Sequence, residues 1–263
     1  MIDVTSAELN AWIAGLMLPL ARILGMISSA PLFSNGAVPV RIRLAVGLAA
    51  AMAIVPALPP LPAIDPGSGL GLAIFVQQIL IGVAIGFVMR LVFAAVDVAG
   101  ELIGLQMGLS FATFFDPQAG GQTGVLAEFI GLLASLLFLA LGGHLLMIDV
   151  MVRSFEWLPI RPEPVFAIGW REAAGTGALL FAAGLLLALP LVAALLITNI
   201  AMGVLTRAAP QINLFAVGFP ITMTAGFVVL MLSLDAFGPV MTHFYDQGFE
   251  AIATVVQALS GAP

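Results

Sequence analysis

Long stretches without a single charged residue dominate this sequence. Three of them run over Leu44–Ile64, Pro66–Met89 and Ala173–Thr206. A helix that crosses a bilayer needs roughly 20 mostly apolar residues, so each stretch is long enough to form one. Only 8% of the 263 residues are charged and 62% are hydrophobic, whereas about a quarter of a soluble domain is charged. Lipid, a protein complex or both must therefore surround this chain.

Composition excludes several kinds of function. The chain has no lysine, its eight basic residues are all arginine, and its net charge is −6; without a basic cluster, binding to nucleic acid is not expected. The absence of cysteine excludes disulfides, thiol nucleophiles and cysteine metal sites. Asp3 and Glu8 occur early and no Lys or Arg does, so the basic start of a cleaved signal peptide is missing and the first apolar helix is expected to remain.

Turn and capping signals divide the first half into segments. Thr5-Ser6-Ala7-Glu8 has the form of a capping box, which predicts a helix over Leu9–Leu32 that is bent near Pro19 or Pro31. A turn-rich loop follows over Ser34–Val40. Arg41 and Arg43 then precede the first charge-free run, and Asp65-Pro66-Gly67-Ser68-Gly69 is a strong turn signal.

The remaining segments are long and apolar. One helix is expected to start near Leu70 and to continue past Arg90 to about Met107. The later pattern predicts a fourth segment over Val125–Val150 and then a polar connection over Arg153–Arg171. A fifth helix, kinked at Pro190, is expected over Ala173–Thr206. A last apolar run ends at Leu234, and a short amphipathic tail follows over Phe237–Leu259. Six segments qualify as spans or nearly so, which predicts an all-α, polytopic helical membrane protein of a single domain, 1–263.

Glycines at four-residue spacing mark one helix face. Gly100, Gly104 and Gly108 form such a ridge, and Gly82 and Gly86 form a shorter one. Small residues at this spacing let another backbone approach closely. The ridge is interpreted either as ordinary packing within the chain or as docking against a partner subunit.

Asp97 and Glu101 lie one helical turn apart in the same apolar run. Ionisable groups at membrane depth are costly and often functional, and a like-charge pair raises the pKa of one carboxyl. A proton or cation path is one hypothesis. The other is that the acids satisfy an arginine, such as Arg22 or Arg90, or a charge on a partner.

No pattern typical of catalysis is present. His144 and His243 have no second ligand at metal spacing, and the sequence has no H-E-x-x-H, phosphate-loop or G-x-S-x-G motif. We therefore expect no enzymatic activity, no metal and no cofactor.

The segment Gly104–Gly124 reads GLQMGLSFATFFDPQAGGQTG. Phe111, Phe114 and Phe115 stand where the helix should end, and a polar stretch with Gly120 and Gly121 follows. An exposed aromatic loop is costly, so these rings must pack into something. The segment is interpreted either as a re-entrant hairpin buried in the chain's own core or as a movable hydrophobic stopper in a channel.

Five stretches of the sequence are, in order along the chain, RILGMISSAPLFS, VQQILIGVAIGFVMR, GELIGLQMGLSFATFFDP, GHLLMIDVMVRSF and APQINLFAVGFPITMTAGF. Together they resemble the FliR family of flagellar type III export-gate proteins, whose virulence counterpart is SctT. The resemblance covers nearly the whole chain. It implies a helical export-gate assembly with FliP-like and FliQ-like subunits, in contact with FlhB-like and FlhA-like export proteins, at the flagellar basal body in the bacterial inner membrane. Within one chain it implies a FliP-like unit over about 1–150 and a FliQ-like hairpin over about 173–234.

The resemblance also implies roles for particular residues. The family's plug falls on Phe111, Phe114 and Phe115, with a flexible frame that includes Gly120 and Gly121. Gln106 and Met107 match the motif at the entry to the loop, and Glu101 matches the motif's acid, whereas no family role transfers to Asp97.

These expectations define a non-enzymatic component of the export gate through which unfolded flagellar subunits leave the cell. Two alternatives remain. One is the same role in a virulence secretion system, and the other is a proton-coupled transporter of small solutes that uses Asp97 and Glu101.

Overall fold

The computed structural model describes residues 5–58, 64–109, 124–209 and 217–261, and within these ranges the chain forms helices and no strands. A 3₁₀ turn, Val55–Ala57, follows the second of eight α-helices described. The helices are α1 Ser6–Ser29, α2 Val40–Ile54, α3 Gly69–Met107, α4 Val125–Ala140, α5 Gly143–Trp157, α6 Ala167–Gly175, α7 Gly177–Ala208 and α8 Phe219–Ser260.

The predicted capping box starts α1. The Thr5 hydroxyl accepts from the Glu8 amide at 3.3 Å, and the Glu8 carboxylate accepts from the Thr5 amide at 2.8 Å. Pro19 remains inside the helix, and α1 ends at Ser29, before Pro31 and the predicted end at Leu32.

The prediction that one helix passes Arg90 is confirmed, because α3 is continuous over 39 residues. It ends where Gly108 takes a positive φ of 82°. The Gly108 amide donates to the Leu105 carbonyl at 3.1 Å and the Leu109 amide donates to the Gly104 carbonyl at 3.0 Å. This is the Schellman motif, in which the amides that follow a helix donate to carbonyls of its last turn and the helix ends.

The fourth segment differs from its prediction. It is two helices, α4 and α5, because Gly142 has a φ of 74°. That left-handed conformation is available to glycine at little cost and interrupts the helical path.

Arg41 and Arg43, which precede the first charge-free run, lie inside α2, since arginine is a good helix former. Two other boundaries were wrong. The polar connection shrinks to residues 158–166, because α5 continues to Trp157 and α6 begins at Ala167. The predicted tail Phe237–Leu259 belongs to α8, which continues through Pro239 without a break.

In the part of the chain that the structure describes, five helical stretches are long and apolar enough to cross a membrane, and α4 with α5 would make a sixth if counted as one bent span. They belong to α1, α2 with its 3₁₀ turn, α3, α7 and α8. The prediction of an all-α polytopic membrane protein is confirmed.

The chain packs as two compact units. Unit 1 comprises 1–91, 142–177 and 246–263, and unit 2 comprises 92–141 and 178–245. Each unit gathers segments that are distant in sequence. The division into a FliP-like 1–150 and a FliQ-like 173–234 stays a prediction.

In unit 1, α1 and α3 pack backbone to backbone. A Cβ placed on Gly25 would clash with the Ile79 carbonyl, one on Gly82 with the Arg22 carbonyl, and one on Gly86 with the Ser29 hydroxyl. Only glycine allows this approach, which is the packing that small residues at helical spacing produce.

The same interface encloses Arg22, whose side chain is 0% exposed. Its Nε and Nη2 both donate to Gln78 Oε1, at 2.8 and 2.6 Å. Nη1 donates to the carbonyl and hydroxyl of Ser154, and Nη2 to the Leu158 carbonyl at 2.9 Å. The guanidinium carbon also lies 4.2 Å from the centre of the Phe155 ring. Arg22 therefore joins α1, α3 and the end of α5 without a carboxylate partner in the described part of the chain.

In unit 2, α3 packs against α4 and α7 at close contacts. A Cβ on Gly100 would clash with the Ala127 backbone, and one on Gly184 would lie 2.7 Å from the Ala95 carbonyl. A buried aromatic cluster adds α8, since Phe93 and Phe138 both contact the Tyr245 ring. The Tyr245 hydroxyl donates to the Ala134 carbonyl at 2.6 Å.

Candidate functional site at the end of α3

The last turn of α3 is fixed to α8 by packing and by one hydrogen bond. Met107 is fully buried, and its Sδ lies 2.7 Å from the position that a Cβ would take on Gly226. The Thr222 hydroxyl donates to the Met107 carbonyl at 3.3 Å. Gly226 thus leaves the space that Met107 fills, and Thr222 satisfies a carbonyl that the end of the helix leaves without an amide.

The turn also contacts α7. The Asn199 amide nitrogen lies 3.4 Å from Gln106 Oε1 and 3.5 Å from the Gln106 carbonyl. A cavity of about 380 Å³ borders this junction, and its lining includes Gln106, Gly108, Asn199, Thr206 and Thr222. A few amide and hydroxyl groups therefore lie in the otherwise mainly apolar lining of this recess.

The return end of the same segment meets α3 as well. Gly124 caps the start of α4, and its amide donates to the Glu101 carboxylate. A carboxylate at a helix N-terminus is stabilised by the first amides and by the helix dipole. Glu101, which was predicted as a functional acid, thus holds the beginning of α4.

The three ridge glycines have different environments. Gly100 allows the close contact with Ala127, whereas a Cβ on Gly104 would lie at an ordinary 3.8 Å from the Leu126 Cβ. Gly108 ends the helix instead of continuing the ridge. The tightest glycine contacts are those of the shorter pair, Gly82 and Gly86, against α1.

The remaining acid, Asp97, lies next to α4. Its Oδ1 is 3.2 Å from the position of a Cβ on Gly131, and Asp97 and Glu101 both line a shallow recess on α3. The nitrogens of Arg22 donate to Gln78, Ser154 and Leu158, and the hypothesis that an arginine or a charge on a partner satisfies the two acids stays a prediction.

The aromatic and glycine residues of the predicted plug, Phe111, Phe114, Phe115, Gly120 and Gly121, lie outside the described residues. What is described is the pair of attachments on either side of them. The outgoing end is the Schellman turn at Gly108, and the incoming end is Gly124 on Glu101. Both attachments are to the last two turns of one helix, α3.

Sequence reasoning missed Asn199, Thr222 and Gly226. A signal existed, since Asn199 and Thr222 are polar residues inside apolar runs, but nothing in the sequence relates them to Met107, which is 115 positions from Thr222. Within the described residues, no group of three or more His, Cys, Asp or Glu is placed to hold a metal. The candidate site therefore consists of the end of α3 and its contacts with α4, α7 and α8.

These features define a class: an all-α polytopic membrane protein with a 39-residue helix whose end is held by two further long helices. The chain belongs to the family of bacterial export proteins, family 1, whose model matches residues 13–248.

Similar proteins that carry the name FliR agree with the family resemblance found in the sequence. The chain is 42% identical over 262 residues to the flagellar biosynthetic protein FliR of Pectobacterium carotovorum, which covers 100% of both chains. It is 42% identical to FliR of Escherichia coli K12, covering 98% of this chain and 99% of the relative. It is 30% identical to FliR of Aquifex aeolicus, covering 98% of each. The predicted membership of the FliR family is confirmed.

Proposed function

We propose that this protein is a non-enzymatic component of the flagellar type III export gate. The observation that carries the proposal is the similarity to flagellar biosynthetic proteins, at 42% identity over 100% of both chains. The place we propose is the bacterial inner membrane at the flagellar basal body.

The proposed partners are FliP-like and FliQ-like subunits, together with FlhB-like and FlhA-like export proteins. Large apolar side chains exposed on α7 and α8 support an assembly, since Phe181, Ile197, Met231 and Leu232 are each at least 67% exposed. Exposed apolar patches of this kind mark protein or membrane contacts. We propose that about 1–150 takes the place of a FliP-like unit and about 173–234 that of a FliQ-like hairpin.

Assembly and transport are tested together. The tagged chain is expressed in a flagellated host whose own FliR gene is deleted, and motility and the proteins that co-purify are recorded. We expect motility to return and FliP-like and FliQ-like proteins to co-purify. A tagged unrelated polytopic protein is the control; co-purification equal to that control, with motility still absent, would reject the proposal. If the chain instead restored secretion in a strain whose virulence secretion system lacks its SctT protein, the SctT-type alternative would be favoured.

We further propose that Phe111, Phe114 and Phe115 form a hydrophobic plug in the path of unfolded export cargo, with Gly120 and Gly121 in its flexible frame. The two attachments on α3 support this, because they fix both ends of the segment within about two turns of one helix. Gln106 and Met107 set the outgoing end, and Glu101 sets the incoming one. Aromatic side chains bury roughly 150–250 Å² each, so three of them are enough to fill a narrow opening.

The absence of cysteine provides a direct test of contact with cargo. A single Phe114→Cys substitution is combined with an export substrate that is stalled by a folded domain and carries one cysteine in its unfolded part. We expect a disulfide between the two in stalled cells and none without the substrate. Phe181→Cys on the exposed face of α7 is the matched control. Equal cross-linking from both positions would contradict the plug.

We assign no transport of protons to Asp97 and Glu101. Glu101 has a partner in the Gly124 amide, which supports a role in holding α4. Asp97→Asn should therefore leave export largely intact, independent of the size of the proton gradient. An assembled Asp97→Asn gate that loses export in a gradient-dependent way would favour the transporter alternative.

A further inference from the structure

An apolar cavity of about 300 Å³ lies inside unit 2, between α3, α4, α7 and α8. Its lining includes Ile103, Ile130, Leu191 and Phe237. Among the described residues that line it, Ser233 has the only polar side chain, and its hydroxyl donates to the Val229 carbonyl at 2.8 Å. The described lining of the cavity is therefore mainly apolar.

Two prolines lie beside this cavity. Pro190 lies inside α7 and lines it, and Pro239 lies inside α8 between the lining residues Phe237 and Val240. A proline within a helix removes one amide donor and so weakens the helix at that point.

The cavity opens towards the apolar outer surface of the unit. Leu186 and Leu232 both line it, and they are 62% and 72% exposed. Both residues lie in stretches of α7 and α8 that are long and apolar enough to cross a membrane. The opening therefore lies on the apolar outer face of the unit, which lipid reaches wherever a partner subunit does not cover it.

We propose that the acyl chain of a membrane lipid occupies this cavity. A dry apolar cavity of about half this volume binds small hydrocarbons rather than water, and protein interiors tolerate few empty spaces of this size. Within the membrane, the hydrocarbon available is the lipid tail. The inference uses the shape and chemistry of unit 2 alone, so it does not depend on the proposed export function.

The test uses a photoreactive side chain in the intact protein within cells. Benzoylphenylalanine replaces Phe237 in the cavity, Phe227 on the exposed face of α8, or Phe138, which is 1% exposed in the core. After illumination, intact mass measurement separates a chain that carries one phospholipid from a chain that is cross-linked to another protein. We expect a lipid adduct from the Phe237 and Phe227 positions and at least fivefold less from the Phe138 position.

A second change separates a lipid in the cavity from a lipid on the surface. Ser233→Leu adds bulk to the cavity, and we expect it to lower the adduct from the Phe237 position at least threefold while the adduct from Phe227 is unchanged. The Phe227 adduct in the same variant shows that the chain is still inserted. Cross-linking of the Phe237 position to another protein, an adduct no greater than that of Phe138, or equal adducts with and without Ser233→Leu would each overturn the proposal.

Discussion

The chain has few polar residues, and two of its regions differ in how they are packed: the surroundings of Arg22 are buried by the chain itself, whereas the outer faces of α7 and α8 are left apolar and exposed. Around Arg22 the chain completes its own packing, with a buried cation whose nitrogens all find oxygen acceptors and glycines that bring α1 and α3 together. In the apolar window of α8, by contrast, only 11% is buried within the chain, against 50% for α1. The difference indicates which part of the molecule is self-sufficient and which depends on lipid or partners.

Two other arginines also donate to carbonyls of their own chain. Arg161 donates to the Ser260 carbonyl at 2.9 Å and Arg43 to the Ser34 carbonyl at 3.3 Å, so three arginines, with Arg22, serve backbone carbonyls at the ends of helices or in loops. A guanidinium has five donors in a planar fork and can hold several carbonyls at once, which an ammonium group cannot do with the same geometry. This use of arginine is consistent with the absence of lysine.

The largest effect is expected from Arg22→Met. The change keeps the apolar stem but leaves Gln78 Oε1 and the carbonyls of Ser154 and Leu158 buried without the donors of Arg22, and each buried polar group left unsatisfied costs about 1–3 kcal/mol. Thermal unfolding of the purified protein should detect it. Arg22→Lys should recover only part of the loss. An unchanged melting temperature for Arg22→Met would show that the cluster does not hold unit 1 together.

A smaller but clear loss is expected from Gly82→Ala. The added Cβ would overlap the Arg22 carbonyl, and overpacking of a tight contact costs about 1–3 kcal/mol. Gly104→Ala is the matched control, because its Cβ would meet only Leu126 at 3.8 Å. If both variants lose equal stability in the same thermal assay, the assignment of the tight ridge to Gly82 rather than Gly104 is wrong.

Gln78→Glu should be close to neutral. Gln78 Nε2 is buried and has no hydrogen-bond partner, so replacing the amide by a carboxylate removes that donor and supplies a charge opposite to Arg22. Gln78→Ala, which leaves Arg22 with fewer acceptors, should lose about 1–3 kcal/mol. A Gln78→Glu protein that is as unstable as Gln78→Ala would contradict the assignment of an uncompensated cation to this cluster.

The smallest effect on the chain itself is expected on the outer face of α7. Ile197 is 70% exposed, and surface substitutions away from special features usually change stability by no more than about 0.5 kcal/mol. Ile197→Ala should therefore unfold like the wild-type chain in detergent. Leu191→Ala, at a position that is 5% exposed on the same helix, should lose about 2–5 kcal/mol. Equal losses would remove the contrast between the inner and outer faces.

Local signals in the sequence predicted much of the fold. The capping box at Thr5, the long helix that ends at Met107 and a long helix that contains Pro190 depend on neighbouring residues and were predicted correctly. The break at Gly142 was missed, because an apolar run with two glycines is also compatible with one helix. The continuity of α8 was missed because its second half is amphipathic and reads as a separate element.

The contacts of the candidate site required the structure. Glu101 was identified from the sequence, but its partner Gly124 is 23 positions away and had no sequence signal. Arg22 finds Ser154 across 132 positions, which no local pattern encodes. Residue types in unusual places were therefore recognisable, whereas the pairs that they form were not.

The central claim is that the three phenylalanines before Gly120 close a path through an assembled gate, and ionic conductance tests it most directly. Gates with Phe111→Ala, Phe114→Ala and Phe115→Ala together are compared with wild type and with Phe181→Ala at equal complex abundance, in cells or in planar bilayers. The account predicts a raised conductance and slower growth for the triple variant, and wild-type values for Phe181→Ala. Conductance of the triple variant equal to that of the wild-type gate would contradict the claim.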